Sequence, residues 1–309
     1  MTFTTKIKEE VTSNYSNIID ARITLLSYLK YASVIESNRL KIYIENANVA
    51  RYIFKLLKKT YNVDINLTIR TQKKFKIKKI FILSIKEKLD IIIKDIEDLE
   101  IEIMNSNYEE ISAFLKGTFL CNGSINDPSK SKYHLEFLVD KEYDANLINT
   151  LLIKLKFNSK IIRRDKGYMV YIKVSEEISD FIKLLGATNS LFYYEDIRIY
   201  RDHKNMVNRL NNCEQANIEK SMKTSKEQID NINYLKEKDL IDLLDDKIKM
   251  VILYKEKYPE TTMSELAYII SMETGVNISK SCINHYFRKI KELVNKSKNS
   301  TWYRVLFLI

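Results

Sequence analysis

The chain has 309 residues, 45% of them apolar and 11% aromatic, and carries a formal charge of +10. That apolar content fills real cores and excludes a disordered chain, while the length has room for two or three domains. The positive charge favours a polyanionic partner, but Lys, Ile, Asn and Tyr are abundant throughout, as an AT-rich genome supplies them. Where the charge sits therefore counts for more than its sum.

The three cysteines, Cys121, Cys213 and Cys282, are scattered and odd in number, which points to a reducing compartment. No CxxC pair or His/Cys cluster suggests a metal, and five glycines form no Walker or GxGxxG loop, so no cofactor is expected. His134, His203 and His285 support no catalytic constellation, and no catalytic residue is assigned. The N-terminal MTFTTKIKEEVTSNYS lacks the apolar core of a signal peptide, and no run reaches the roughly 18 residues of a membrane span. A cytoplasmic protein without membrane contact is expected. The ending TWYRVLFLI is apolar but too short to span, and packing on a neighbour is expected of it.

In chain order, the first apolar helix covers LLSYLKYASVI (Leu25 to Ile35). The strand-like RLKIYI comes next, then a helix in ANVARYIFKLLKKTY, then strands in VDINLTIR and KKIFILSI. A shift of 90 residues lays Leu115 to Ile125, LKGTFLCNGSI, on the first helix, and the downstream segments match in turn: YHLEFLV, DANLINTLLIKLKF, NSKIIRR and GYMVYIKV. Each half reads helix, strand, helix, strand, strand, helix, with the join near IEDLEIEIMNSNYEE. Ser27 coincides with Gly117 and Ser33 with Gly123, so the two helices are expected to pack side by side at a pseudo-twofold with both glycines in the contact. The alternative is a buried helix with Gly123 as its C-cap.

Two basic hairpins are matched between the halves. Lys73, Lys74 and Lys76 fall between the last two strands of the first, and Arg163, Arg164 and Lys166 between those of the second. They are candidates for contacts to a DNA backbone, or else lysine bias and edge protection. From Arg201 to Ser225 the chain is helix-compatible, polar and rich in Asn.

The last third contains an amphipathic helix through IDLLDDKIKMVILYKEK, stopped by Pro259, then Thr262 and Glu265 in capping-box spacing before a short helix, a turn at Gly275, and a helix capped by Ser279. Ile283, Phe287, Ile290 and Val294 form one buried face of that last helix. Lys280, Ser281, Asn284, His285, Arg288 and Lys289 are the side-chain types that reach base edges and phosphates. Helix, capped short helix, glycine turn and capped basic helix in this order read as a helix-turn-helix.

LKGTFLCNG lies on the LAGLIDADG motif position for position, and the paired units resemble the two halves of LAGLIDADG homing endonucleases. In those nucleases the acid before the final glycine holds a divalent metal at the scissile phosphate. Here that position is Asn122, with Ala32 as its counterpart in the first half, so both metal carboxylates are missing. Asp127 has no partner in the first half. NRLNNCEQAN (Asn208 to Asn217) and NISKSCINHYFRKI closely resemble the junction and recognition helix of the WhiA family of sporulation and cell-division transcription regulators, whose members join a degenerate LAGLIDADG domain to a C-terminal helix-turn-helix.

The resemblance implies an α+β chain: two pseudo-symmetric LAGLIDADG-like α/β repeats at 1–100 and 101–200, a helical junction at 201–224 and an all-α helix-turn-helix domain at 225–309. It implies a transcription regulator on double-stranded DNA, associated with the nucleoid, without nuclease activity, and with transcription-machinery or regulator proteins as further candidate partners. The alternatives are an active metal-dependent endonuclease using other acids, and a scaffold whose sheets bind protein.

Overall fold

The computed structural model of the chain describes residues 1–13, 18–72 and 78–306, with side chains described except at 18–19, 72, 78 and 299–306. Two compact units divide it, Met1–His203 and Lys204–Ile309.

The first unit opens with α1 (Phe3–Ser13) and then holds the two repeats. The first is α2 (Ile18–Ala32), β1 (Ser33–Glu36), β2 (Arg39–Ile44), α3 (Ala47–Tyr61), β3 (Ile65–Gln72), β4 (Lys78–Ile85) and α4 (Leu89–Met104). The second is α5 (Tyr108–Asn122), β5 (Gly123–Ile125), β6 (Leu135–Val139), α6 (Glu142–Lys154), β7 (Lys160–Arg164), β8 (Gly167–Ile172) and α7 (Ser175–Leu184). Each repeat builds a four-stranded antiparallel sheet, in the orders β1-β2-β4-β3 and β5-β6-β8-β7. Each repeat thus has one strand more than the pattern predicts. β1 and β5 are four and three residues long and start directly at the helix ends, too short for an alternation to show.

Along each strand one face is core and the other is outer. Leu40, Ile42, Ile44, Leu83 and Ile85 are buried under the first sheet, and Leu135, Phe137, Val170 and Ile172 under the second. Phe119 of α5 meets Phe137 and Phe181 edge-on at 6.3 and 5.8 Å, which anchors the second core.

α2 and α5 pack on each other at a point where only a glycine fits. A Cβ at Gly117 would overlap the carbonyl oxygen of Thr24 and the Oγ of Ser27. Thr24 donates its hydroxyl to Ala113 O at 3.1 Å, and Ser27 donates to Thr24 O at 3.1 Å, so the small polar side chains of the contact are satisfied. The pairing of Ser27 with Gly117 expected from the repeat holds. The expectation for Gly123 does not: it is the C-cap of α5, and a Cβ there would meet Phe119 of its own helix.

The unit boundary lies inside α8 (Thr188–Glu237), a single helix that includes the polar, Asn-rich stretch. The second unit continues with a 3-10 turn (Ile241–Leu243), α9 (Asp246–Lys257), α10 (Met263–Thr274) and α11 (Lys280–Leu306). Its core joins Ile232 and Leu235 of α8 to Ile248, Val251 and Ile252 of α9, Leu266 and Ile270 of α10, and α11. α11 runs past the expected end of the recognition helix into TWYRVL; residues 307–309 of the apolar tail lie outside the described residues.

Gly117→Ala separates propensity from packing. Alanine favours an isolated helix by about 1 kcal/mol over glycine, whereas forcing a methyl into a closed contact costs about 1–3 kcal/mol. The denaturant midpoint of the substituted protein is expected to fall, and further for Gly117→Val; a midpoint raised by alanine would mean the helices have room to part.

Candidate nucleic-acid interface

α10 starts in a complete capping box. Glu265 N donates to Thr262 Oγ1 at 3.3 Å and Thr262 N donates to Glu265 Oε2 at 2.8 Å. It ends at Gly275, whose φ of 70° is the left-handed conformation a helix C-cap favours and a side chain disfavours. Ile278 N donates to Ser271 Oγ at 3.2 Å, holding the turn against the helix it leaves. Ser279 then caps α11, accepting from Cys282 N at 3.3 Å on its Oγ and from Ile283 N at 3.1 Å on its carbonyl.

These caps fix which way α11 faces. Ile283, Phe287, Ile290 and Val294 are all buried. Lys280, Ser281, His285, Arg288 and Lys289 are exposed, and Asn284 is half-buried. Lys289 lies 3.9 Å from Asp245, and Lys291, two residues further along, pairs with Glu227 at 2.6 Å. Lys280 and Arg288 have no carboxylate in ion-pair reach among the described residues. Lys280 and Arg288 lie in the N-terminal half of α11, where a groove-reading helix places its contacts.

One supporting residue escaped the sequence reading. Lys255 of α9 is buried, and its ammonium donates to Thr261 O at 2.9 Å, one residue before the cap of α10. Burial pulls its pKa below the usual lysine value. Its position i+3 from Ile252 on the apolar stripe was the available signal; lysine on such a stripe reads as a surface residue that snorkels.

The hairpin residues divide. Lys73, Lys74 and Lys76 lie outside the described residues. In the second repeat Arg164 faces Gly167 across a two-residue turn, Asp165 and Lys166, with Gly167 at φ 99°. Alternation sends Arg163 and Arg164 to opposite faces of the sheet, so they do not act together. Arg163 is opposite Tyr168, whose hydroxyl turns to Glu142 on the helix side at 3.1 Å. Arg164 is on the outer face, 3.0 Å from Met169 Sδ. The equivalent position in β3, by register against Ile80, is Arg70, which the sequence reading missed because it stands before the lysine run.

Ala32 and Asn122 end α2 and α5, where the LAGLIDADG resemblance implies a divalent metal. The donors present do not fit one. Ala32 offers a methyl, and the Oδ1 of Asn122 accepts from the Cys121 thiol at 2.9 Å. Asp127 is occupied with Ser129, whose N and Oγ donate at 3.0 and 2.7 Å. Among the described residues no group of three or more His, Cys, Asp or Glu is placed to hold a metal ion.

A side-chain cation sits there instead. The ammonium of Lys8, from α1, donates to Cys121 O at 3.4 Å and lies 5.6 Å from the Phe119 ring centroid. Burial pushes its pKa from 10.5 down to about 8, with Cys121 as a smaller opposing influence. The folded state therefore binds fewer protons than the unfolded state between about pH 8 and pH 10.5, so stability rises with pH across that window. Lys8→Met removes the group. The melting temperature of the wild type relative to Lys8→Met is expected to climb from pH 8 to pH 10; a flat difference would place the Lys8 ammonium in water.

Three family models match in chain order: "WhiA N-terminal LAGLIDADG-like domain" over residues 21–99, "WhiA LAGLIDADG-like domain" over 111–204 and "WhiA C-terminal HTH domain" over 207–294. The "Probable cell division protein WhiA" of Exiguobacterium sibiricum is 36% identical over 315 residues, covering 97% of this chain and 98% of the relative. That of Bacillus cytotoxicus is 37% identical, covering 96% and 97%. The crystal structure of full-length DUF199/WhiA from Thermatoga maritima superposes with a TM-score of 0.57 at 23% identity, over 96% of this chain and 99% of that one, a likeness of fold. Two LAGLIDADG-like repeats followed by a helix-turn-helix, matched along nearly their whole length, place the chain in the WhiA family.

Proposed function

We propose that this chain is a sequence-specific DNA-binding transcription regulator acting in cell division, that it reads duplex DNA on the nucleoid with the N-terminal half of α11, and that it does not cut DNA. The observation that carries the reading is the capped α11, with Lys280, Ser281, His285 and Arg288 exposed over a buried Ile283, Phe287 and Ile290. The relatives' name supports the link to cell division.

Roles follow from chemistry. Asn284 can bond bidentately to adenine and Arg288 to guanine, while Lys280 and Lys289 supply point charges to phosphates. Alanine at Asn284 or Arg288 is expected to cost about 1–3 kcal/mol, roughly 5- to 150-fold, on the preferred site and far less on scrambled duplex. Alanine at Lys280 is expected to weaken both alike and lower the salt slope by about one. Lys289 also faces Asp245, so its loss should matter less. Binding to random-sequence selections, scored by motif recovery, checks this; equal losses on both duplexes at Asn284 and Arg288 would remove α11 as the reader.

The absence of cutting rests on the donor set at Ala32 and Asn122. Two-metal displacement needs carboxylates to hold the ions beside the phosphate, and a methyl and a thiol-bonded amide provide none. Supercoiled and linear genomic DNA incubated with the protein and magnesium or manganese is expected to remain uncut; site-specific, EDTA-sensitive nicking would restore the endonuclease reading.

A further inference from the structure

The outer faces of the two sheets, turned away from the helices, can be read row by row from the strand registers. In the first sheet Tyr43 of β2 is opposite Ile82 of β4, which is opposite Thr68 of β3. In the second, Leu138 of β6 is opposite Met169 of β8, which is opposite Ile162 of β7. These are the same row of the repeat, and it is largely apolar in both copies. Tyr43 is 44% exposed, Leu138 49% and Ile162 43%, so the ends of the row are presented to solvent, while Ile82 is half-buried and Met169 is buried beneath Arg164, whose guanidinium lies 3.0 Å from its Sδ.

Towards the hairpins, the next row carries Arg70 opposite Ile80 in one sheet and Arg164 opposite Gly167 in the other. On the far side of the apolar row, several polar side chains are engaged with one another. Lys41 donates to Glu36 at 2.8 Å, and His134 lies 3.1 Å from Glu136. Lys160 and Lys173 are left over, the latter 4.8 Å above the Tyr171 ring. Neither Arg70 nor Arg164 has a carboxylate partner among the described residues, so the cations available to a partner flank the apolar rows.

A duplex offers such a face little. Its phosphates and sugars would engage the arginines, but aliphatic side chains across the middle of both sheets would be desolvated against a polar backbone, and protein–DNA interfaces are more polar and more cationic than this. Exposed apolar side chains clustered within a rim of charge mark a protein-binding surface.

We infer that the outer faces of the two LAGLIDADG-like sheets bind protein: a polypeptide segment that presents aliphatic or aromatic side chains to Tyr43 and Ile82 on one sheet and to Leu138 and Ile162 on the other, and carboxylates to Arg70 and Arg164. The partner's acidic flanks give orientation and encounter rate, and the apolar rows give affinity. The inference is independent of the reading of α11.

The full chain is tested with a displayed library of random peptides. Recovered peptides are measured against wild type and against Leu138→Lys, Tyr43→Lys and Ile162→Lys, each first shown to unfold with the wild-type midpoint; these sites are exposed enough to accept lysine. Peptides combining acids with aliphatic or aromatic residues are expected, with affinity falling about tenfold or more on at least one variant of each sheet while duplex binding is unchanged. Peptides indifferent to all three substitutions, or no recovered binders, would overturn the inference. So would a double Arg70→Ala, Arg164→Ala protein whose slope of log K against log salt on scrambled duplex falls by about two, since that would make these faces a DNA surface.

Discussion

The contact between α2 and α5 at Gly117 sets the rest of the first unit. Because the Thr24 carbonyl and the Ser27 hydroxyl occupy the space a side chain would need, the helix backbones come close enough to place the two repeats back to back. Both helices then end beside one another, at Ala32 and Asn122, and each leads directly into the first strand of its own sheet. A second tie across the repeats is ionic: Lys30 of α2 reaches Asp144 of α6 at 2.9 Å and also bonds Glu100 of α4. Those groups are mostly shielded from water, so losing one partner would leave a charge stranded.

α1 lies outside the repeat yet completes it, by satisfying backbone groups that the second repeat leaves open. Thr4 Oγ1 donates to Ile125 O at 2.9 Å and accepts from Ile125 N at 3.0 Å, which mimics one rung of a strand on the free edge of β5. Lys8 bonds a last-turn carbonyl of α5. The Glu10 carboxylate accepts from Asn189 N and Ser190 N at 2.6 and 3.0 Å, capping the first turn of α8. One short helix thus closes a sheet edge, a helix end and a helix start. In the nuclease resemblance a metal ion brings positive charge to the end of α5; here the charge comes covalently attached.

The parts that were legible in the sequence are those with a local cause. Thr262, Glu265, Gly275 and Ser279 act within a few residues of themselves, and the buried face of α11 has a helical period, so the reading element could be drawn from the chain alone. The repeat was legible because Ser27 and Gly117 are small for one shared reason. The hidden parts have distant causes. The role of Gly123 depends on how closely the chain folds back over the backbone and ring of Phe119, the side on which Arg163 falls depends on register, and the burial of Lys255 depends on a carbonyl six residues away that only the folded loop brings back. The outer-face rows were hidden for the same reason: Tyr43, Ile82 and Thr68 are neighbours only once three strands are paired.

Residues 202–216 of α8 are exposed on every side, and Asn205, Asn208, Asn211 and Asn212 stand among them without packing. Such a stretch is helical only through its own hydrogen bonds and through propagation from the buried turns at Tyr194 on one side and Ile232 on the other. Asparagine is a poor helix former because its amide competes for the backbone. The free energy needed to open a turn there is consequently low, and amide hydrogens in the middle of α8 would exchange well ahead of those in either core. The point at which the chain changes from one compact unit to the next is therefore a helix whose backbone hydrogen bonds stand open to water, rather than a loop.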